Sequence, residues 1–164
     1  MKTILKLLLV LCATAVAIAA EPAITTITRA DDPLVKEIEA GYAKYVVAAR
    51  KGDLAAFRSL RTAARNAEIP PNATGKDLKA MADMLAPGLE GYKFQRLDTT
   101  GKTARIAYAL EKKGELSIRV LMFEKDGAVW KAGDSADVSH VGQTPKLADA
   151  VAAALAKPEV KLTR

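Results

Sequence analysis

Cysteine is nearly absent from this 164-residue chain: Cys12 is the one thiol, and it lies in the apolar N-terminal stretch MKTILKLLLVLCATAVAIAA. A chain that loses that stretch has no thiol at all, which excludes disulfides, thiol catalysis and cysteine-ligated metals. Histidine is as scarce. His140 is the one histidine, set in Ser139-His140-Val141-Gly142, and a single histidine in such a stretch shows no triad pattern and offers a metal too few ligands. It reads as part of a surface linker. Aromatic residues are 5 % of the chain, too few to interleave with basic runs, so nucleic acid is not an expected partner. No cofactor and no metal are expected.

What is present first assigns a compartment. Lys2 and Lys6 precede an apolar run from Leu5 to Ile18, and Ala17-Ile18-Ala19 supplies small residues for cleavage. This is the layout of a signal peptide over residues 1–19, cut near Ala19/Ala20, and the run is short for a membrane span. The expectation is a periplasmic or secreted protein whose mature chain has no integral membrane span. Leu11 before Cys12 argues against lipoprotein acylation, which wants a small residue there. The net charge of +6 becomes about +4 without Lys2 and Lys6, a mildly basic balance that speaks of solubility first. Asn72-Ala73-Thr74 matches a glycosylation sequon, to which a bacterial-style leader gives little weight.

The remaining chain divides by period. Residues 20–32 are an extended lead-in with a short strand near Ile24 to Thr28. A helix begins after Asp32 with Pro33 at its first position, carries Leu34, Ile38, Tyr42, Tyr45 and Ala49 as an apolar stripe, and stops at Gly52. Asp53 caps a second helix whose inner face is Phe57, Leu60 and Ala64. Thr74 and Asp77 form a capping box for a third with Leu78, Met81 and Leu85. From Tyr92 the period becomes two, in runs near 91–98, 102–111, 115–124 and 128–136. The separators Thr99-Thr100-Gly101, Lys112-Lys113-Gly114 and Lys125-Asp126-Gly127 read as three-residue hairpin loops. That register places Phe94, Ala104, Ile106, Leu110, Leu116, Ile118, Val120, Met122, Trp130 and Ala132 on one face. It leaves Leu97, Leu121, Phe123 and Val129 among polar residues on the other. A last helix with Thr144 as cap and Leu147, Val151 and Leu155 on one side completes a C-terminal segment, 140–164.

Helices followed by an antiparallel meander predict an α+β fold, with helices packed on a curved four-stranded sheet and a C-terminal helix added. Tyr42-Ala43-Lys44-Tyr45 with Ala48, then Gly52-Asp53-Leu54-Ala55-Ala56-Phe57, and finally Asp126-Gly127-Ala128-Val129-Trp130-Lys131, resemble the nuclear transport factor 2-like (cystatin-like, cone-shaped) superfamily. The resemblance covers residues 33–139 at most and is structural in kind. It implies a pocket between the concave sheet face and the helices. That superfamily includes isomerases, cyclases, dehydratases, scaffold domains and exported proteins without an assigned activity, so the fold alone does not choose among them.

In the register above, Ile106, Val120 and Trp130 form an apolar wall, Tyr45 lines it, and Tyr92 or Tyr108 offers a polar handle to a small apolar ligand. Asp134 in one row with Tyr92 and Tyr108 would suit proton transfer beside a carbonyl. The competing reading makes Asp134 a solvated loop residue and the tyrosines core bodies with wet tips. Arg58, Arg61 and Arg65 recur at helical spacing and could grip a partner's carboxylates, or simply form a solvated flank. Leu121 and Phe123, left on the outer face, suggest a homodimer through the sheet, unless the lead-in or the last helix covers them. The function expected is an exported, non-catalytic domain binding a small ligand or an envelope protein. The alternatives are an isomerase- or cyclase-type enzyme using Asp134 with a tyrosine, and a structural envelope module.

Overall fold

A computed structural model describes residues 22–142 and 145–157. The leader at 1–19, the cap at Thr144 and the tail from Glu159 lie outside the described residues.

Helix α1 (Pro33–Lys51) forms where the sequence places it. The Asp32 side chain accepts from Leu34 N, Pro33 sits in the first turn, and the helix ends at Gly52 in the left-handed conformation (φ 73°). Its inner stripe buries Val35, Ile38, Tyr42, Tyr45 and Ala49. Gly52 is doubly required, because a Cβ there would lie 2.3 Å from the Gly75 carbonyl oxygen. The second expected helix is two: α2 (Leu54–Ser59) and α3 (Ala63–Asn66). Between them the chain bonds sideways to the sheet, Ala132 N donating to Leu60 O (2.8 Å) and Thr62 N to Ala132 O (3.0 Å). The arginine stripe is broken by that turn. The third expected helix also divides, into α4 (Gly75–Ala80), opened by the Thr74–Asp77 capping box, and α5 (Ala82–Leu85).

The sheet has five strands rather than four. β1 (Thr25–Ile27), β2 (Lys93–Thr99), β3 (Thr103–Lys112), β4 (Glu115–Asp126) and β5 (Val129–Val141) lie in sequence order, all antiparallel. The added strand comes from the lead-in, pairing Thr25 with Thr99. His140 falls inside β5, opposite Leu116, not in a linker.

The hairpin loops are one residue shorter than the sequence suggests. Thr100 N bonds Thr103 O around Gly101-Lys102, Lys112 pairs with Glu115 around Lys113-Gly114, and Asp126 pairs with Val129 around Gly127-Ala128. Lys113 (φ 52°) and Gly114 (φ 81°) are both left-handed, the pattern of a type I′ turn, whose twist suits a two-residue hairpin. One residue fewer turns β4 over. Leu121 and Phe123 therefore join Ala104, Ile106, Tyr108, Trp130 and Ala132 on the face packed against α1, with exposures of 2 % and 3 %. Leu97 joins them through a bulge between Phe94 and Arg96. Val120, Ile118 and Leu116 face the opposite way with Ala107 and Ala109.

That second face is not open either. Helix α6 (Leu147–Leu155) lays Ala150, Val151, Ala154 and Leu155 over it. The domain thus has two cores, one on each side of the sheet. A polar tie anchors their edge. Buried Asp98 accepts from Thr26 Oγ1 (2.8 Å) and Arg96 Nε (2.8 Å) and lies 3.7 Å from Arg105 Nη2, while Arg105 Nη1 donates to Leu155 O (2.8 Å) at the end of α6.

Candidate functional site

The space between the helices and the sheet is where a pocket was expected, and aromatic rings fill it. Tyr45 stacks on Phe57 with ring centres 4.6 Å apart, and Tyr42 meets Phe123 edge-on at 5.9 Å. Both hydroxyls are used: Tyr42 donates to Pro87 O (2.7 Å) and Tyr45 to Leu85 O (2.8 Å). Beside them a cleft lined by Tyr42, Tyr45, Leu121, Met122, Gly133 and Asp134 holds about 10 Å³, room for about one water.

A bulge in β5 shapes this cleft. Leu121 pairs with Ser135 and Phe123 with Ala132, so Met122 faces two residues, Gly133 and Asp134. A Cβ on Gly133 would sit 3.2 Å from Met122 O, tighter than a side chain normally tolerates. The glycine inside a strand was the sequence signal for this bulge. Asp134 is there tied to α3, accepting from Arg65 Nη2 at 2.8 Å, with its side chain 48 % exposed.

The row of Tyr92, Tyr108 and Asp134 does not assemble. The Tyr108 hydroxyl donates to Glu39 Oε1 on α1 (3.1 Å). Tyr92 lies at the rim with the Arg119 guanidinium over its ring, 4.7 Å from the centre. Arg119 in turn forks onto Asp137 through Nε (2.8 Å) and Nη2 (2.9 Å) and donates through Nη1 to Gly88 O. Glu39, Arg119 and Asp137 were not singled out from the sequence. Their partners are fixed by register and by a helix that returns over the sheet, which spacing alone does not reveal.

The other expected residues separate in the same way. Tyr45, Ile106, Tyr108 and Trp130 do share the helix-facing side, but Val120 lies under α6 on the opposite face. Leu121 and Phe123 are core residues, not an exposed interface. Arg58 is half-buried. Arg61 is buried: its guanidinium lies 5.2 Å from the Phe57 ring centre and Nη2 is 3.8 Å from Glu68 Oε2. Its Nε and Nη1 have no hydrogen-bond partner among the described residues. Arg65 bridges Glu68 and Asp134. Of the three, Arg65 ties α3 to the sheet through Asp134, and Arg61 packs beside the turn between Phe57 and Glu68.

Burial pushes the Tyr42 phenol far above its ordinary range. Burial also raises Tyr108, with the Glu39 carboxylate adding to the effect, and raises Tyr45, which nearby Arg61 partly opposes. A raised folded-state value means these phenols ionise in the unfolded chain while still neutral in the fold. Their stabilising contribution is full below about pH 10, the unfolded value, and is lost as pH climbs from there toward the folded values. Denaturant titrations at rising pH should therefore show a steep alkaline loss of stability, removed in part by Tyr108→Phe. A flat profile to pH 12 would contradict the burial of these hydroxyls.

Among the described residues no group of three His, Cys, Asp or Glu side chains could hold a metal ion, and no helix is long and apolar enough to cross a membrane. No family model matches the chain, and no curated protein matches it. Among solved structures a cystatin-like fold protein from Burkholderia xenovorans LB400 is similar, with a TM-score of 0.41 and 14 % identity, covering 74 % of this chain and 100 % of that one.

Proposed function

We propose that the protein is an exported, non-catalytic interaction domain of the nuclear transport factor 2-like kind, binding a protein partner through the face made by α1, α4 and α5. The observation that carries this reading is apolar exposure along these helices and the junction between α4 and α5: Val47 is 48 % exposed, Met81 39 % and Met84 70 %. The end of α1 touches the start of α4 at Gly52 and Gly75, and Arg50 Nη2 lies 3.6 Å from Asp83 Oδ1 on α5. Lys44, Lys51, Lys76 and Lys79 on these helices are exposed. Methionine side chains adapt to varied apolar surfaces, and a lysine rim steers carboxylates toward them. The partner is thus a protein segment that presents aliphatic side chains flanked by Asp or Glu. Support also comes from the committed state of Asp134, Tyr92 and Tyr108, each engaged by a structural neighbour. The leader-like residues 1–19 support export.

A photo-crosslinking residue at Met84, carried in the producing cells, tests the reading. One discrete protein adduct is expected, reduced at least about tenfold by Lys76→Glu with Lys79→Glu, since rim charges set encounter rates. A stoichiometric small molecule retained in native mass spectrometry, with no adduct at Met84, would overturn it.

A further inference from the structure

The free edge of β5 carries a second surface, independent of the helical face. β5 is the outer strand of the sheet. Ala132 turns its N–H and C=O outward, where Leu60 O and Thr62 N take them. Lys125 N bonds Lys102 O on the β3 side, so Phe123 and Leu121 also direct their backbone groups toward β3. Their partners Ala132 and Ser135 then point away from the sheet. Past the bulge the outward row continues through Asp137, Ser139 and Val141. Among the described residues none of these four has a backbone partner beyond the sheet, though the Ser135 N–H donates to the Asp134 Oδ1 beside it (2.9 Å).

Exposed edges are normally guarded by lysine, proline, a bulge or a covering segment. Here the guards stop at the bulge. The stretch 135–141, SADVSHV, has no lysine and no proline, and the Asp137 carboxylate is held by Arg119 on the helix-facing side. The bulge at Gly133-Asp134 bounds the free edge on one side and Gly142, at φ 88°, on the other.

We propose that this edge pairs antiparallel with the same edge of a second copy, about a two-fold axis at Val138. The bounded window sets the register. Ser135 of one copy faces Val141 of the other, Asp137 faces Ser139, Ala136 faces His140, and Val138 faces itself. Outward residues meet outward residues, so each Asp137–Ser139 pair exchanges two N–H···O bonds, while Ser135, whose N–H is held by Asp134 Oδ1, accepts one from Val141, and no carboxylate opposes a carboxylate. An unrelated extended peptide would need pockets for its alternate side chains, and the short side chains of this row offer none. The two sheets become one, with isologous contacts that close on themselves.

The test uses the full chain carrying Cys12→Ser. Val138→Cys should oxidise to a covalent dimer that reductant reverses, because self-facing residues in a non-hydrogen-bonded pair lie about 4.5 Å apart at Cα, within disulfide reach. Ala136→Cys, which faces His140, should not. In sedimentation equilibrium the Cys12→Ser chain should dimerise reversibly. Ser139→Asp opposes Asp137 twice and should weaken the dimer about tenfold, while Ser139→Lys should tighten it. Thermal melting checks that each variant is folded. A monomer at all concentrations, equal crosslinking at Ala136, or a dimer indifferent to both Ser139 charges would overturn the proposal. So would amide protection of 135–141 that arises only with an added peptide of unlike sequence.

Discussion

Asp98→Ala should lower the unfolding free energy by about 3 kcal/mol, read from urea titrations at neutral pH. The carboxylate is buried, its side chain 4 % exposed, and it joins three strands and a helix through few atoms. Thr26 Oγ1 bonds it from β1 and Arg96 from its own strand, while Arg105 on β3 bridges it to Leu155 O of α6. Removing one member of a buried charge network costs far more than the network's net worth, and here it deletes the acceptor of Thr26 and Arg96 at once. Thr26→Ala is the control, since it removes one neutral donor and should cost about 1 kcal/mol. Against a typical domain stability of about 5–15 kcal/mol, the Asp98 effect is large. A loss below about 1 kcal/mol would show that water replaces the carboxylate and that β1 and α6 are not held through it.

Phe123→Asp should abolish the fold, and Phe123→Ala should cost about 3–5 kcal/mol. The ring is 3 % exposed and meets Tyr42 edge-on at 5.9 Å. An aspartate there would be charged in an apolar cavity or would bury a neutral acid without partners. Val129→Asp is the matched comparison. Val129 is 47 % exposed, and its change should stay within about 0.5 kcal/mol. Three-residue loops would have put both residues on one outer face, with similar tolerance. Circular dichroism and denaturant midpoints decide between the registers: a Phe123→Asp protein with a near-native midpoint would refute the two-residue loops.

That register is also where sequence reasoning failed, for a physical reason. In Lys112-Lys113-Gly114 the glycine suits the last place of a three-residue loop as well as the second place of a type I′ pair. The usual arbiter is polarity, and β4 withholds it. Leu121 and Phe123 serve the core under α1, while Leu116, Ile118 and Val120 serve the core under α6. With apolar residues on both faces, a one-residue slip leaves no charge buried to betray it. Local signals did better. Asp32-Pro33 and Gly52 delimit α1, and Thr74 with Asp77 opens α4, because caps are satisfied within a few residues. The break between α2 and α3 was not legible, since its cause is Ala132 on a distant strand. The candidate site suffered in the same way. Tyr92, Tyr108 and Asp134 stand out in the sequence as polar groups near the sheet, but Glu39, Arg119 and Arg65, which engage them, are assigned only once the register is known.

The two-residue loops have a kinetic consequence. Every pairing within β2–β5 forms between neighbours in sequence, so this part of the molecule has low contact order and hairpins of its kind close in about 1–10 μs. β1 and α6 must instead return from before and after the meander. Their long loop closures carry an entropic cost until the edge by Asp98 forms. The meander is therefore the expected folding nucleus, and β1 and α6 are late-docking units. Mutations that loosen them should hasten unfolding while leaving the folding rate nearly unchanged.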